Sequence, residues 1–441
     1  MKRTGICVAV IIGFSFVCLL HKGMPAQAEE PPPLMTLQQC LDYGVHHAPL
    51  LQGEAARVAQ SKAIVQQSKA SHGLAIDAKA SFLQYDTLPE SKVKLLGEGS
   101  TDMLGELSVS HSLYSWGKWQ WRDRAAASGV TMAEAQRERV YQDVTTAIAR
   151  AYGDYWLREQ IARAKEAQLT QAEAHWQVTK DRAALGKVAQ VDVMRAEVNV
   201  ATARDAARRA ARERESAHMR LNQAMGRDPH LSLGIDATLP TIAIPPSHDM
   251  AWQQHPEWQR QRAGVEQAHA LVKAARADRY PELLASGVYT GEGLTDITTS
   301  TNWNLGVVVR VPLFDSGRRA AAVTQAKAVE DTAAAQRDAV RQRLLTETAD
   351  AQHAVMDATL RLADLETTTA LAQQTLHIAE ERYRVGAGTS LEVFDAQTAL
   401  VQVHVAVSQA RADVYFAQVQ LTAACGQRVS ITDTPREDIH E

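Results

Sequence analysis

Fifteen histidines, with His46 and His47 adjacent, are where metal or acid–base chemistry would first be sought. Zinc needs ligands spaced onto one face, as in H-E-x-x-H or a cysteine pair. The sequence has neither, and no H-x-x-x-H with carboxylate support, so the histidines read as solvent-exposed and no metal is expected. Gly97-Glu98-Gly99 and Gly291-Glu292-Gly293 do not open a helix after a buried strand, so they are loop glycines rather than a phosphate cradle. No Ser, Cys or Lys nucleophile sits in a recognisable setting. No catalytic residue and no cofactor is expected, and the chain is read as not an enzyme. Its formal charge of −4 offers no electrostatic footprint for nucleic acid. Arg208-Arg209 and Arg212 to Glu215 read as a solvated helix face. Trp116, Trp119 and Trp121 form either an interfacial aromatic belt or packing at a strand–helix junction; both readings stand.

The chemistry is therefore sought in architecture. Only 5% of the 441 residues are aromatic, which argues against a compact enzyme with an aromatic core. No proline lies between Pro89 and Pro229 or between Pro312 and Pro435. Because an interior proline breaks a helix, both stretches permit very long helices. The start, Met1-Lys2-Arg3 followed by an apolar run from Ile6 to Leu20 and Ala26-Gln27-Ala28, has the order of a secretory signal peptide cleaved after Ala28. Loss of Lys2, Arg3 and Lys22 takes the formal charge to about −7. Cys40 and Cys425 remain; in an oxidising compartment they can pair if geometry allows. No later apolar run is long enough for a membrane helix, which leaves a β-barrel open.

An internal repeat organises the chain. Leu185-Gly186-Lys187-Val188-Ala189-Gln190 through Glu197 recurs as Val385-Gly386-Ala387-Gly388-Thr389-Ser390 through Gln397, and the offset of 200 also relates Leu113–Lys118 to Leu313–Arg318 and Leu221–Gly226 to Leu421–Gly426. A tandem duplication follows. The expected divisions are 1–28 signal peptide, 29–240 first repeat, 241–428 second repeat and 429–441 tail, with the link near Pro240 to Pro246.

Each repeat carries two extended segments, at about 76–86 and 103–113 and at about 282–290 and 303–312, separated by polar loops (Pro89–Asp102 and Thr290–Thr301). In the last segment Trp303, Leu305, Val307, Val309 and Val311 alternate with Asn304, Gly306 and Arg310. This period of two fits a strand with one lipid face and one wet face. Arg318 to Val385 contains neither Gly nor Pro and predicts about 102 Å of helix. Within it Val355, Leu362, Thr369, Leu376 and Tyr383, with Ala358, Leu365, Ala372 and Ala379, mark a seven-residue seam, hence coiled-coil packing. Each long helix ends at a glycine, Gly186 or Gly386, which favours a turn and an antiparallel partner. The fold class is mainly α with a small β part: two long antiparallel hairpins and four strands. Four strands cannot close a barrel, and an open edge in lipid strands backbone groups. Two chains would give a filled eight-stranded barrel; three would give twelve strands and a pore.

These residues resemble the outer-membrane efflux proteins, the TolC-like channels, over nearly the whole mature chain. The resemblance rests on the signal peptide, the duplication, Val311-Pro312-Leu313-Phe314-Asp315-Ser316-Gly317-Arg318, and Arg382-Tyr383-Arg384-Val385-Gly386 with Leu391-Glu392-Val393-Phe394-Asp395-Ala396-Gln397. It implies a homotrimer with a twelve-stranded barrel in outer-membrane lipid and an α-barrel tunnel extending into the periplasm. The tips, Leu185, Gly186, Val188, Ala189, Val385, Gly386, Thr389 and Ser390 among them, would meet a periplasmic adaptor (membrane fusion) protein working with an inner-membrane transporter. Glu392 and Asp395 would ring the narrow end, and Asp192 and Tyr383 would hydrogen-bond to hold it closed. A basic residue usual inside the second tip is replaced by Gly388. The implied function is the exit duct of a tripartite efflux pump or type I secretion system, passively conducting substrates outward. The alternative is a soluble periplasmic coiled-coil adaptor or scaffold without a pore, which has no need of the four strands.

Overall fold

The computed structural model describes residues 34–84, 101–243, 251–294 and 297–431. The expected signal segment 1–28, Gly97-Glu98-Gly99, the 244–246 end of the expected link and residues 432–441 of the expected tail lie outside the described residues. In chain order the elements are β1 (Leu34–Met35), α1 (Leu37–His47), α2 (Pro49–Ala70), β2 (Ala75–Gln84), β3 (Thr101–Tyr114), α3 (Lys118–Ala184), α4 (Gln190–Ala224), β4 (Gly234–Ile235), α5 (Pro256–Ala277), β5 (Glu282–Leu294), β6 (Ile297–Arg310), α6 (Arg318–Arg384) and α7 (Ser390–Ala424).

The duplication is visible element by element. α3 and α6 each run 67 residues, about 100 Å of helix, and α4 and α7 each run 35. Both 22-residue helices α2 and α5 open with proline in the first turn, where its missing N–H costs nothing. Each long helix follows a corner of two left-handed residues, Trp116 (φ 53°) with Gly117 and Ser316 (φ 54°) with Gly317. The second corner is held by Asp315, whose carboxylate accepts from the Gly317 and Arg319 amides at 3.2 and 3.1 Å and from the Arg319 guanidinium at 2.9 Å.

The helices form a wall one layer thick. Nearest the sheet the packing order is α2–α3–α5–α6, and toward the tips it is α4–α3–α7–α6. The α6 seam behaves as its period demands: from Val355 to Tyr383 the positions shielded from solvent are the nine seam residues and no others. Near its end Leu376, Ala379 and Tyr383 pack with Val393, Ala396 and Leu400 of α7. Small residues at alternate seam positions let the backbones approach.

The main core sits at the waist, where α1, the middle of α3 and the ends of α4 and α7 converge. Leu37, Cys40, Ile148, Tyr152, Leu221, Met225, Tyr415 and Val419 are buried there. Gly153 is the crossing point of α3 and α7. A Cβ at that position would fall 2.7 Å from the rings of Tyr415 and Phe416, and Tyr415 donates its hydroxyl to the Ala149 carbonyl at 3.0 Å. β1 pairs with β4, and Ile242 bridges Ile431, tying the segments at Leu34–Met35 and Ile431 to this waist. Cys40 and Cys425 are both free, lie in separate apolar clusters, and do not pair; burial pushes the Cys40 thiol up to about 12.

Gly426 (φ +70°) ends α7 against His255, whose Cα would lie 2.7 Å from an added Cβ. His255 is 3% exposed and caps α5, accepting the Glu257 amide on Nδ1 at 3.1 Å. Burial first, then Arg139, lowers its pKa from 6.5 to about 4. Because the folded value lies below the unfolded one, this contribution is complete above pH 6.5 and is lost as pH falls toward 4. The full loss is roughly 3 kcal/mol per chain. In thermal unfolding scans from pH 7 to 4, His255→Asn, which keeps a capping acceptor, is expected to flatten this part of the acid slope. An unchanged slope would place the acid sensitivity elsewhere.

β2, β3, β5 and β6 form one antiparallel sheet in the order β2-β3-β5-β6. The repeats therefore meet through β3 and β5, and β2 and β6 are open edges. β5 and β6 run on to Leu294 and from Ile297, so most of the expected Thr290–Thr301 loop is strand. Its Gly, Thr and Ser residues lack an apolar face, but a hydrogen-bonded ladder needs no alternation. β6 ends at Arg310 rather than 312 because Pro312 has no N–H for a ladder.

Candidate functional site at the hairpin tips

Both tips are built by the same glycine device. Gly186 (φ +68°) and Gly386 (φ +82°) follow the last helical turn. Their amides donate to Ala183 and Tyr383 carbonyls at 2.9 and 3.2 Å, and the next amides, Lys187 and Ala387, reach back to Arg182 and Arg382 at 2.9 and 2.8 Å. This double closure of the terminal carbonyls is the Schellman arrangement, and it requires the left-handed residue that glycine supplies. The eight residues expected at the tips all lie on these two turns or the adjoining helix starts, with Leu185 70% and Val385 68% exposed.

The two tips differ in how the returning helix starts. α7 is capped by Thr389, whose hydroxyl accepts the Glu392 amide at 3.2 Å and lies 3.3 Å from the Glu392 carboxylate. Arg382 also sits 3.4 Å from that carboxylate. Glu392 is thus at the position where an acidic group completes a cap and meets the positive helix end. Asp395, one turn on, is exposed and has no hydrogen bond or ion pair among the described residues. α4 has no side-chain cap at Ala189; Asp192 in its first turn faces Arg195 at 3.9 Å.

Asp192 and Tyr383 line one cleft between the tips, about 480 Å³, together with Lys187, Arg195, Leu391 and Phe394. They share no hydrogen bond within the chain: the Tyr383 hydroxyl is buried without a partner. Tyr383 is held instead by residues not singled out from sequence. The Arg182 guanidinium lies 4.5 Å from its ring centre and donates to its carbonyl at 3.3 Å. The His175 ring is 5.6 Å away, and His175 Nε2 shares a 2.8 Å hydrogen bond with Ser390 Oγ. These contacts join α3 of the first hairpin to α6 and α7 of the second. The repeat offered one signal, since Arg182 and Arg382 stand at equivalent positions. For His175 there was none, because its equivalent is Thr375. Among the described residues no group of His, Cys, Asp and Glu gathers to hold a metal.

At the far end the sheet has two unlike faces. Directly paired residues share a face, so register assigns them. Ile76, Val109, Gly287 and Leu305 form one row, and Ala78, Leu107, Tyr289 and Trp303 another. On the opposite face lie Lys79, Glu106, Thr290 and Asn302, and next to them Asp77, Ser108, Val288 and Asn304. The apolar face is open, with Trp303 72% and Leu305 78% exposed. The tryptophan cluster divides. Trp119 packs at the junction, donating to Ser112 Oγ at 3.0 Å, whereas Trp116, 51% exposed, groups with Tyr114 and Tyr280 at 5.3 and 5.6 Å.

The profile of one protein family, outer membrane efflux protein, matches residues 45–227 and 248–427. The chain belongs to the outer membrane efflux protein family. It is 28% identical over 323 residues to outer membrane efflux protein BepC of Brucella suis biovar 1, covering 70% of this chain and 69% of that protein. It is 25% identical over 372 residues to the pyoverdine export outer membrane protein OpmQ of Pseudomonas aeruginosa, covering 77% and 76%. Its fold matches the Campylobacter jejuni CmeC outer membrane channel (TM-score 0.79, 20% identity, 88% and 85% covered). It also matches the Vibrio cholerae outer membrane protein VceC (0.77, 22%, 89% and 96%). The outer membrane efflux protein family is a family of channels and not of enzymes, and its fold is the one described above.

Proposed function

We propose that this chain is the outer-membrane exit duct of a tripartite efflux pump or type I secretion system, working as a homotrimer that conducts substrates passively. The observation that carries the reading is a matched pair of open edges at both levels of the wall. In the sheet, β2 and β6 each leave one edge unpaired among the described residues; toward the tips, α4 and α6 are the outer helices. Exposed apolar residues mark both helices, Met356, Leu360, Leu371 and Ile378 on α6 and Val191, Met194 and Val198 on α4. Head-to-tail contact of unlike edges closes a ring. Three copies supply twelve strands, enough to enclose a pore, and twelve helices at each level of the tunnel.

In this reading the apolar sheet face meets outer-membrane lipid, Trp116, Tyr114 and Tyr280 sit at the interface, and the polar face lines the pore. The hairpins extend into the periplasm, where the exposed tips meet the adaptor protein that links the duct to an inner-membrane transporter. Asp395 and Glu392 converge on the axis as the gate, and the Tyr383 hydroxyl can meet Asp192 as the cleft between the tips closes. Efflux and export in the names of BepC and OpmQ favour this reading over an adaptor without a pore. Membrane fractionation followed by the mass of the detergent-extracted oligomer tests it: a membrane-bound species of three chains is expected, and a soluble monomer would sink it.

A further inference from the structure

Ser390 is the first residue of α7, immediately before the turn that carries Glu392 and Asp395. Whatever anchors Ser390 therefore sets where those carboxylates stand, and its anchor is His175 on the other hairpin, at 2.8 Å. We infer that His175 is a proton-responsive positioning residue of the gate: neutral, it latches α3 to the start of α7; protonated, it weakens that latch and lets the tip open more readily. This rests on the proposed reading of the tip as a gate.

The chemistry of the latch follows from what surrounds it. The Ser390 hydroxyl can meet either nitrogen of a neutral imidazole and can still accept from the imidazolium, so protonation weakens the latch through the cost of a half-buried charge rather than through loss of the bond. The charged groups acting on His175 are Arg182 of its own helix and Glu380 of α6. α7 presents the uncharged Ser390, and Tyr383 of α6 covers the ring. The nearby charges on α4 and at the second tip are already matched, Arg204 with Glu173 at 2.8 Å and Arg382 with Glu392 at 3.4 Å. Burial, then Arg182, disfavours the imidazolium, and Glu380 only partly opposes them, so His175 is held below its ordinary 6.5. In the released state the ring regains water and its ordinary value. The group with the lower pKa belongs to the latched state, so the latch is at full strength above pH 6.5 and weakens as pH falls below it. Each unit of difference between the two states shifts the balance about tenfold.

Single-channel recording of the purified trimer in planar bilayers, from pH 7.5 to pH 5, tests this. The unsubstituted protein is expected to raise its mean conductance by about twofold or more as pH falls below 6.5. His175→Gln keeps an amide able to bond Ser390 and cannot titrate, so its profile is expected to be flat. Ser390→Ala, which removes the partner while leaving α7 capped by Thr389, is expected to raise conductance at pH 7.5 and to weaken the pH response. The Glu392→Gln, Asp395→Asn pair should keep the pH step, because His175 is intact. A wild-type pH profile in either the His175 or the Ser390 variant, or no step in the unsubstituted trimer, overturns the inference. The gate reading fails separately, by unchanged conductance in the Glu392→Ala, Asp395→Ala variant at pH 7.5.

Discussion

Replacing Glu392 and Asp395 together by alanine is expected to raise single-channel conductance and lower the cation-to-anion permeability ratio by about a hundredfold. A unit charge about 5 Å from a passing ion in water contributes about 0.8 kcal/mol, and three copies of one carboxylate about 2.5 kcal/mol before screening. Salt reduces this to on the order of 1.4 kcal/mol, which favours a cation and opposes an anion alike, so the ratio changes by about 2.8 kcal/mol, about a hundredfold. The two residues do not contribute alike. Glu392 is engaged by Thr389 and Arg382, whereas Asp395 is exposed and unpaired among the described residues. Asp395→Ala alone should therefore carry most of the selectivity change, and Glu392→Ala should mainly weaken the start of α7, by about 0.5–1 kcal/mol. Reversal potentials in asymmetric salt measure the first; thermal unfolding of the trimer measures the second. Equal selectivity effects would show that the Glu392 cap does not shield its charge.

Leu305→Arg is expected to abolish outer-membrane assembly, and Asn304→Arg, one residue away, to permit it. The rows Ile76–Val109–Gly287–Leu305 and Asp77–Ser108–Val288–Asn304 put these neighbours on opposite faces. A lipid-facing arginine at mid-membrane costs about 2–4 kcal/mol; with three chains in one barrel the total is roughly 6–12 kcal/mol, comparable to the whole stability of a domain. An arginine in the water-filled lumen carries no such cost. Heat-modifiable trimer in the membrane fraction reports both variants. Equal loss of trimer would mean that the sheet is not a lipid-facing barrel wall. Normal assembly of Leu305→Arg would mean the same.

Much of this was legible along the chain. Gly386 and Gly186 marked the turns, since a left-handed residue at a helix end is a local demand. The seam from Val355 to Tyr383 marked the buried stripe of α6, and the alternation from Trp303 to Val309 marked the apolar face of β6. The candidate site was legible only in part. The tips were found, but the partner of Tyr383 was not: Arg182 lies 201 residues away along the chain, and His175 and Ser390 are 215 apart. For Glu392 the contact with Arg382 was not legible, because that ion pair forms across the turn between α6 and α7.

The sequence by itself determined the length of the long helices, the duplication, the turn positions and the apolar sides of α6 and β6. These follow from backbone sterics and from the periods of 3.5 and 2, which are written in neighbouring residues. Only the tertiary structure decided that β3 and β5 join the repeats, that Tyr415 packs on Gly153, that Cys40 and Cys425 stay apart, and that His175 and Arg182 touch the second hairpin. Such contacts depend on register between distant segments. A shift of two residues in a strand, or of seven in a heptad helix, keeps the apolar sides matched while exchanging all the partners.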